Sequence, residues 1–452
     1  MPKTLIIGGG ISGLSAAYYL AKGGAECIIV ESRPRLGGVI QTVQMEGCVI
    51  EGGPDSFLSA KPAALDLIRD VGLADDVIGS NDHLRVTFVR KNGRMVPLPD
   101  GLMMMVPTKI MPLITTSLLG WGTKIRMGME LWRAPKPRAG DESIADFVNE
   151  HYGQEAVDYL AEPLLSGVYG GDPRQLSVTS VLPRFVELAN KYGSLTRGVL
   201  AMRAKAHASG PAAPLFRTLK GGLGQLVGAV TESIRGKAEV RQARAETVER
   251  TPAGFRVKMN GDWLEADRLV MACEAHSASA QLGSMDARIA ELLAGVGYNS
   301  SMVVVLGWDA ADFPRPPVGF GFLIPKKERR RLVACTWMGT KFPHRVPQGK
   351  ILARCFVGDV TDSDESVLQA VVSELQEIAG FTSPPRFSRI FRSPRSMAQY
   401  PVGHPQQIAE LETRVAAIPG LYLAGNAYQG IGVPDCIRMG RAAAEKILVA
   451  TH

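Results

Sequence analysis

The sequence predicts an α/β protein with three parts: a parallel-sheet domain of Rossmann type built from discontinuous segments, a mixed-sheet domain, and a helical region. Three observations carry this reading. A strand, a GxGxxG turn, a helix, a second strand and a terminal acid follow one another between Thr4 and Glu31. An apolar strand, a glycine loop and a helix run from Gly420 to Val449. Strands alternate from Ser300 to Val357, after a stretch whose pattern is helical. The boundaries expected are 1–78, 213–290 and 398–452 for the first domain, 79–98 and 291–397 for the mixed sheet, and 99–212 for the helical region. A length of 452 residues suits about three units.

Composition narrows the class. With 46% apolar and 21% charged residues, the chain is globular and not disordered. A net charge of +7 favours anionic partners without naming one, and nucleic acid is not expected among them. Six cysteines are scattered without a CxxC pair, and seven histidines form no HxxxH pattern. Reduced core thiols and no bound metal are expected. The N-terminus enters a strand within three residues and no apolar run is long enough to span a bilayer, so the expected compartment is the cytoplasm.

The first element is the most informative. Gly8 permits the tight turn after Thr4–Ile7, Gly10 lets the backbone approach a pyrophosphate, and Gly13 lets the helix pack on the strand. Gly9, Ile11 and Ser12 complete a turn whose amides open a helix. Glu31 ends the second strand, eighteen residues after Gly13, where it would accept from ribose hydroxyls. A plain glycine turn in an α/β domain is the alternative, and the complete strand–turn–helix–strand–acid order argues against it. A second glycine loop follows with Ser32, Arg35, Gly37, Gly38 and Val39, then a strand from Gly47 to Glu51 and the segment Gly53-Pro54-Asp55-Ser56-Phe57. A tightly held flavin dinucleotide would use glycines on both sides of its pyrophosphate. A solvated surface turn is the other reading.

From about Pro99 to Pro214 the pattern is helical. Leu102 to Ala139 holds six of the seventeen methionines, Trp121, Trp132 and a local net charge of +5, interrupted by Pro107 and Pro112. This suits a helix lying on anionic lipid, or a core hairpin with a solvated basic face. Beyond it, Gly221 to Ile234 reads as a helix, and Val240 to Arg250, Phe255 to Met259 and Leu269 to Ala272 as strands. Met302 to Trp308, Phe320 to Ile324, Leu332 to Trp337 and Ile351 to Phe356 form the second sheet. The run Lys326 to Arg331 reads as a solvated hairpin tip, with steering of a polycarboxylate as the weaker alternative. In the closing segment, Ala424, Gly425 and Gly430 line a loop before Gly432, Val433 and Pro434, and a helix is expected from about Asp435. Proline suits a helix start, and the helix N-terminus suits an anion.

These residues carry a resemblance. Gly8 to Gly13, Arg35 to Gly38 and Leu423-Ala424-Gly425-Asn426 are similar to the flavoprotein superfamily of amine oxidases and desaturases. Gly53 to Phe57, Gly167 to Ser177 with its Leu176-Ser177 block, and Gly430 to Ile437 resemble the oxygen-dependent porphyrinogen oxidases of haem synthesis. That family includes protoporphyrinogen oxidases and bacterial coproporphyrinogen III oxidases. The resemblance implies an FAD enzyme that oxidises a porphyrinogen in three two-electron rounds, with oxygen as acceptor and hydrogen peroxide as product. It implies no catalytic side chain, because hydride passes to flavin N5 and the pyrrole protons leave by tautomerisation. It places the Val248 backbone against the adenine, the macrocycle among Gly167, Phe320, Leu323 and Phe356, and membrane contact in the helical region. The chain would then be cytoplasmic and peripheral at the membrane, and a homodimer is compatible with it. The propionate partners fall among basic residues between 174 and 220, and none stands out. A flavin amine oxidase, a polyene desaturase and a flavin-free carrier are the rival readings.

Overall fold

A computed structural model describes residues 3–136, 140–207, 213–358 and 361–450. The chain forms two compact units, one of residues 1–79, 215–298 and 404–452, the other of 80–214 and 299–403. The sequence reading set 99–212 apart from the mixed sheet; both lie in the second unit.

The first unit is built on five parallel strands: β1 (Thr4–Ile7), β2 (Cys27–Glu31), β3 (Ala238–Gln242), β4 (Arg268–Met271) and β5 (Leu421–Leu423). Their order across the sheet is β3-β2-β1-β4-β5. β1, β2, β4 and β5 are short, mainly apolar runs because both faces of such a sheet are covered, whereas β3 is a polar, partly exposed strand at the sheet edge. Helix α1 (Ile11–Lys22) is buried from Ile11 to Ala21 and packs on α2 (Val433–Val449). Small residues let the two helices touch. A β-carbon on Gly440 would lie 2.2 Å from the Ser12 carbonyl oxygen, and one on Gly23 would lie 2.4 Å from Leu448 Cδ1. Ser12 meets Gly440 and Gly23 meets Leu448, so the helices run in the same direction and their N-termini share one end.

Val240 to Arg250 is not the single strand expected. The chain breaks at Ala243–Arg244, where the Ala243 amide donates to the Glu31 carbonyl at the end of β2. Its first part is β3; its second, Ala245–Thr251, joins Gly254–Met259 and Asp262–Ala266 in a separate antiparallel sheet. Helix α2 begins at Val433, two residues before the expected start.

The second unit holds a seven-stranded mixed sheet. Its order is Phe387–Ala398, Tyr298–Asp309, Lys350–Val357, Leu332–Trp337, Gly321–Leu323, Thr87–Lys91 and Arg94–Pro97. One face packs on the helix Asp364–Ala379 through Val367, Val371 and Leu375, with Trp308, Phe313, Trp337 and Phe381 in the same core. Burying each such side chain stabilises by roughly 1.5–3 kcal/mol. Cys335 and Cys355 face each other in this core with sulfurs 3.8 Å apart. All six cysteines are free, and burial pushes the thiols of Cys27 and Cys273 up to about 12.

The methionine-rich stretch folds as a small hairpin, Leu102–Met103 with Val106–Pro107, then helices Ile110–Thr115 and Trp121–Met129. Arg138 and Ala139 lie outside the described residues. Met105, Val106, Leu113, Leu118, Leu119 and Met127 are buried, while Ile110, Met111, Trp121, Ile125, Met129 and Trp132 are each at least 59% exposed. Glu130, at the end of this stretch, is almost fully buried. It accepts from His151 Nδ1 (2.9 Å), Ser194 Oγ (2.7 Å) and the Leu195 amide (2.5 Å). Those bonds hold its carboxyl below the ordinary glutamate range although burial alone would raise it. Among the described residues no helix is long and apolar enough to cross a membrane.

Candidate active site

Five parallel strands place their carboxyl ends at one edge, and in such sheets ligands bind beyond that edge. Gly8–Gly10 follow β1, Glu31–Val39 follow β2, and Ala424–Gly425 follow β5. The edge is therefore a rim of glycines.

Backbone geometry explains why they are glycines. Gly8 has φ +109°, and a β-carbon there would meet the Ala272 carbonyl oxygen at 2.6 Å. A β-carbon on Gly13 would lie 1.9 Å from the Gly8 carbonyl oxygen, which fixes the approach of α1 to β1. Gly10 is different: the nearest atom to its virtual β-carbon is Gly38 Cα at 4.0 Å, so it faces open space. Gly10 and Gly37 pair as an isolated parallel bridge, the Gly37 amide donating to the Gly9 carbonyl at 2.8 Å. The two glycine loops thus lie side by side. Gly37 and Gly38 both take positive φ, at +99° and +59°. Helix α1 starts at Gly10 with no side-chain cap and no acid in its first turn. Its first amides lack intrahelical acceptors, and an anion can supply them.

Glu31 is buried and shapes the loop. It accepts from the Gly9 amide (2.7 Å) through Oε2 and from the Arg33 amide (2.8 Å) through Oε1, with Ser32 Oγ at 3.4 Å. A carboxylate has about four acceptor positions, so capacity for ribose hydroxyls remains. Arg35 donates to the carbonyls of Ile40 (2.9 Å) and Gly38 (2.7 Å), pinning its own loop around Val39. Gly53 is dictated by contact, since its β-carbon would lie 1.9 Å from the Val39 carbonyl oxygen. Pro54, Asp55 and Ser56 follow half-buried, with Ser56 Oγ donating to Asp55 (2.8 Å) and Thr218 Oγ1 to the Asp55 carbonyl (2.8 Å). Val248 lies in the antiparallel side sheet with its side chain buried, and its carbonyl accepts from Ser284 Oγ (3.1 Å).

At the C-terminal end, the Ala424 amide donates to the Met271 carbonyl (2.9 Å), and Gly425 takes φ +147°. Gly432 caps α2, with Val433 and Pro434 in its first turn. Here the cap is charged: Asp435 accepts from the Gly432 amide (3.3 Å) and from Lys61 Nζ (2.5 Å). Lys61 was not singled out from the sequence, because nothing local relates it to Asp435.

In the second unit, strand registers bring two of the four expected substrate residues, Leu323 and Phe356, into one row, and a third, Gly167, reaches it from a helix. Leu323 pairs with Ala334, Ala334 with Phe356, and Phe356 with Val303. This row lies on the face away from the aromatic core, since the intervening Met302, Phe322, Cys335 and Cys355 belong to that core. Gly167 stands over the row, its virtual β-carbon 3.4 Å from Leu323 Cδ2. Phe320 is outside the row: it precedes the strand, is buried, and its carbonyl accepts from the Trp337 amide (2.9 Å).

One row further along is Arg354, paired with Thr336 and Val305, 4% exposed, its guanidinium 4.5 Å from the Phe356 ring centroid. Sequence reasoning missed it. The signal was a lone arginine inside Ile351–Phe356, two residues from Phe356 and so on the same face. Of the basic residues between 174 and 220, Arg197 is committed to the carbonyls of Arg133 and Tyr192, and Arg203 to Thr108. The Leu176-Ser177 block anchors a loop. Ser177 Oγ donates to Asp141 (2.8 Å), and the Gly403 amide donates to the other oxygen of that carboxylate (3.0 Å). These bonds hold the Asp141 carboxyl below its ordinary range against the opposing effect of burial.

Comparisons with known proteins follow the same lines. The family model of flavin-containing amine oxidoreductases matches residues 11–448. A coproporphyrinogen III oxidase of Bacillus subtilis is 33% identical over 98% of this chain and 97% of its own length. A chloroplastic protoporphyrinogen oxidase 1 of Arabidopsis thaliana is 28% identical over 96% of this chain and 85% of its own. A crystal structure from Exiguobacterium, provisionally named a protoporphyrinogen oxidase, superposes with a TM-score of 0.88 at 29% identity, covering 99% of each chain.

Proposed function

From the premise that the chain belongs to the flavin-containing amine oxidoreductases, and is an FAD-dependent oxidoreductase, we propose that its substrate is a porphyrinogen, coproporphyrinogen III before protoporphyrinogen IX. FAD, when bound, supplies acceptance of two electrons and a proton per round, so three rounds and three molecules of oxygen convert porphyrinogen to porphyrin with release of three of hydrogen peroxide. The remaining roles belong to the chain.

Gly8 to Gly13 and the open amides of α1 bind the pyrophosphate from one side, and Arg35, Gly37, Gly38 and Val39 from the other. Glu31 and Ser32 hold the adenosine ribose, and Val248 lies against the adenine. Gly53 to Ser56, Ala424 and Gly425 position the flavin. The first turn of α2 at Gly432, Val433 and Pro434 faces the charge that develops at its pyrimidine end. Gly167, Leu323 and Phe356 give the macrocycle an apolar face, and the buried Phe320 precedes the strand that carries Leu323. Arg354 offers a carboxylate a charge-assisted bond on that face, a role sequence reasoning sought between 174 and 220. No side chain is required to take a proton from carbon.

A second element of the reading is membrane contact. Ile110, Met111, Trp121, Ile125, Met129 and Trp132 are exposed beside Lys109, Lys124 and Arg126, the composition that lies at an anionic lipid surface. A cytoplasmic enzyme peripheral to the membrane fits this surface.

The single observation carrying the porphyrinogen reading is the apolar row Leu323–Ala334–Phe356 under Gly167 with a buried arginine beside it. An amine needs an acid or an aromatic cage there instead. The test is the visible spectrum of the purified protein, followed by porphyrin fluorescence in air with each porphyrinogen supplied separately. Faster appearance of coproporphyrin than in enzyme-free controls is expected. Bound flavin without porphyrin formation from either substrate sinks the reading and favours an amine oxidase or desaturase.

A further inference from the structure

The basic run Lys326 to Arg331 is not a free patch. Lys326 pairs with Asp172 (3.0 Å), Lys327 with Asp158 (3.3 Å) and Arg329 with Glu162 (2.9 Å). Arg330 pairs with Glu377 (2.5 Å) and Arg331 with Asp362 (2.6 Å). With every charge engaged inside the chain, steering of a polycarboxylate loses its basis. The first three pairs all reach one helical segment and the loop after it, residues 154–172.

These pairs differ in weight. Lys326 and Lys327 are solvent-exposed, and such pairs contribute little. Arg329 and Glu162 are not: the Glu162 side chain is 8% exposed. Arg329 Nη2 also donates to Ser166 Oγ and to the Ile324 carbonyl, each at 3.0 Å, and the Lys326 amide donates to the second Glu162 oxygen at 2.9 Å. One guanidinium therefore ties Ser166 to Ile324. Gly167 is the next residue after Ser166, and Leu323 the one before Ile324. A π-helical turn over Val157–Ala161 directly precedes Glu162.

We propose that Arg329, acting through Glu162 and Ser166, is a positioning residue that fixes the gap between Gly167 and Leu323 and so sets how tightly the macrocycle is held. The proposal rests on the porphyrinogen reading. Arg329 itself touches neither substrate nor flavin; it works through the two elements it spaces. All three acceptors are met by the single nitrogen Nη2; lysine keeps the charge and three donor hydrogens but ends on a shorter stem, so its ammonium meets the same acceptors less closely.

The experiment is steady-state oxidation of coproporphyrinogen III by the FAD-loaded enzyme carrying Arg329→Met, Arg329→Lys, Gly167→Ala and the pair R329M/G167A. Arg329→Met should raise KM about tenfold with kcat within about twofold, and Arg329→Lys should recover part of that loss. Gly167→Ala, whose added methyl meets only Leu323, should raise KM about fivefold alone but less than about twofold on the Arg329→Met background, where the gap has relaxed. Should Arg329→Met fold poorly, Glu162→Gln replaces it, because glutamine keeps one acceptor and loses the other. Independent, multiplicative effects on KM, or a fall in kcat alone, overturn the clamp. A wild-type enzyme inactive on both porphyrinogens overturns the substrate reading and the clamp with it, and is distinguished by failing before any variant is compared.

Discussion

The glycine rim of the first unit and the apolar row of the second are built in opposite ways. The rim is made of backbone: amides, carbonyls and missing β-carbons within a few residues of one another, as at Gly8, Gly10, Gly13 and Gly37. The row is made of side chains from three strands and a helix, with Gly167, Leu323, Ala334 and Phe356 far apart in sequence. Backbone sites tolerate no added atom but ask little of side-chain identity. Side-chain sites accept small changes and take their selectivity from a few positions. Substitutions at four positions would break or sharpen this contrast.

The largest effect is expected where a buried side-chain network is cut. Glu130→Ala leaves His151, Ser194 and the Leu195 amide without their shared acceptor and should cost about 3–5 kcal/mol, read as a fall in denaturant midpoint. The same residue predicts a pH dependence. Its folded-state pKa is depressed, so its stabilisation is complete above the ordinary value of 4.5 and is lost as pH falls through the lower folded value. The stability gap between wild type and Glu130→Gln should accordingly be full above pH 4.5 and narrow progressively as the pH falls below it. A gap that does not narrow anywhere on the acid side of 4.5 would show that the carboxylate's charge contributes nothing.

Next comes Gly13→Ala, whose methyl would sit 1.9 Å from a carbonyl oxygen; overpacking of that kind costs about 1–3 kcal/mol and should release the flavin. Gly10→Ala sharpens the point, because its methyl faces open space. Thermal unfolding of the apoprotein should stay within about 0.5 kcal/mol of wild type while FAD affinity drops about tenfold or more. Equal losses in both measurements would mean that Gly10 serves packing and not ligand approach. The smallest effect is on selectivity: Arg354→Met should raise KM about tenfold for the tetracarboxylate and less for the dicarboxylate, with the flavin spectrum unchanged.

The same contrast explains what the sequence made legible. Thr4 to Glu31 was readable because strand, turn, helix and acid are contiguous and each residue type answers a local requirement. The C-terminal loop and helix were readable for the same reason, missing only two residues at the start of α2. Val240 to Arg250 misled because both halves are extended, and what divides them is a change of partner: the first pairs with the distant β2 and the second with Gly254–Met259. Arg354 and Arg329 were hidden because their meaning depends on register and on acids more than a hundred residues away, such as Glu162. The methionine-rich stretch is partly core and partly surface, with buried Met105 and Met127 beside exposed Met111 and Met129.

The packing of α1 on α2 has a consequence for synthesis. The glycine loop and α1 leave the ribosome well before the surface that covers Ser12, Ser15 and Ala16, which is carried by Gly440 and its neighbours. Until then α1 has an uncovered apolar flank, although all five strands of the sheet precede α2 in the chain. Nascent chains stalled before Val433 should therefore bind chaperones and retain no flavin, however well their glycine loop is formed. Loading of the cofactor is in this sense a proofreading of translation as far as α2: only a chain carried through that helix can keep it.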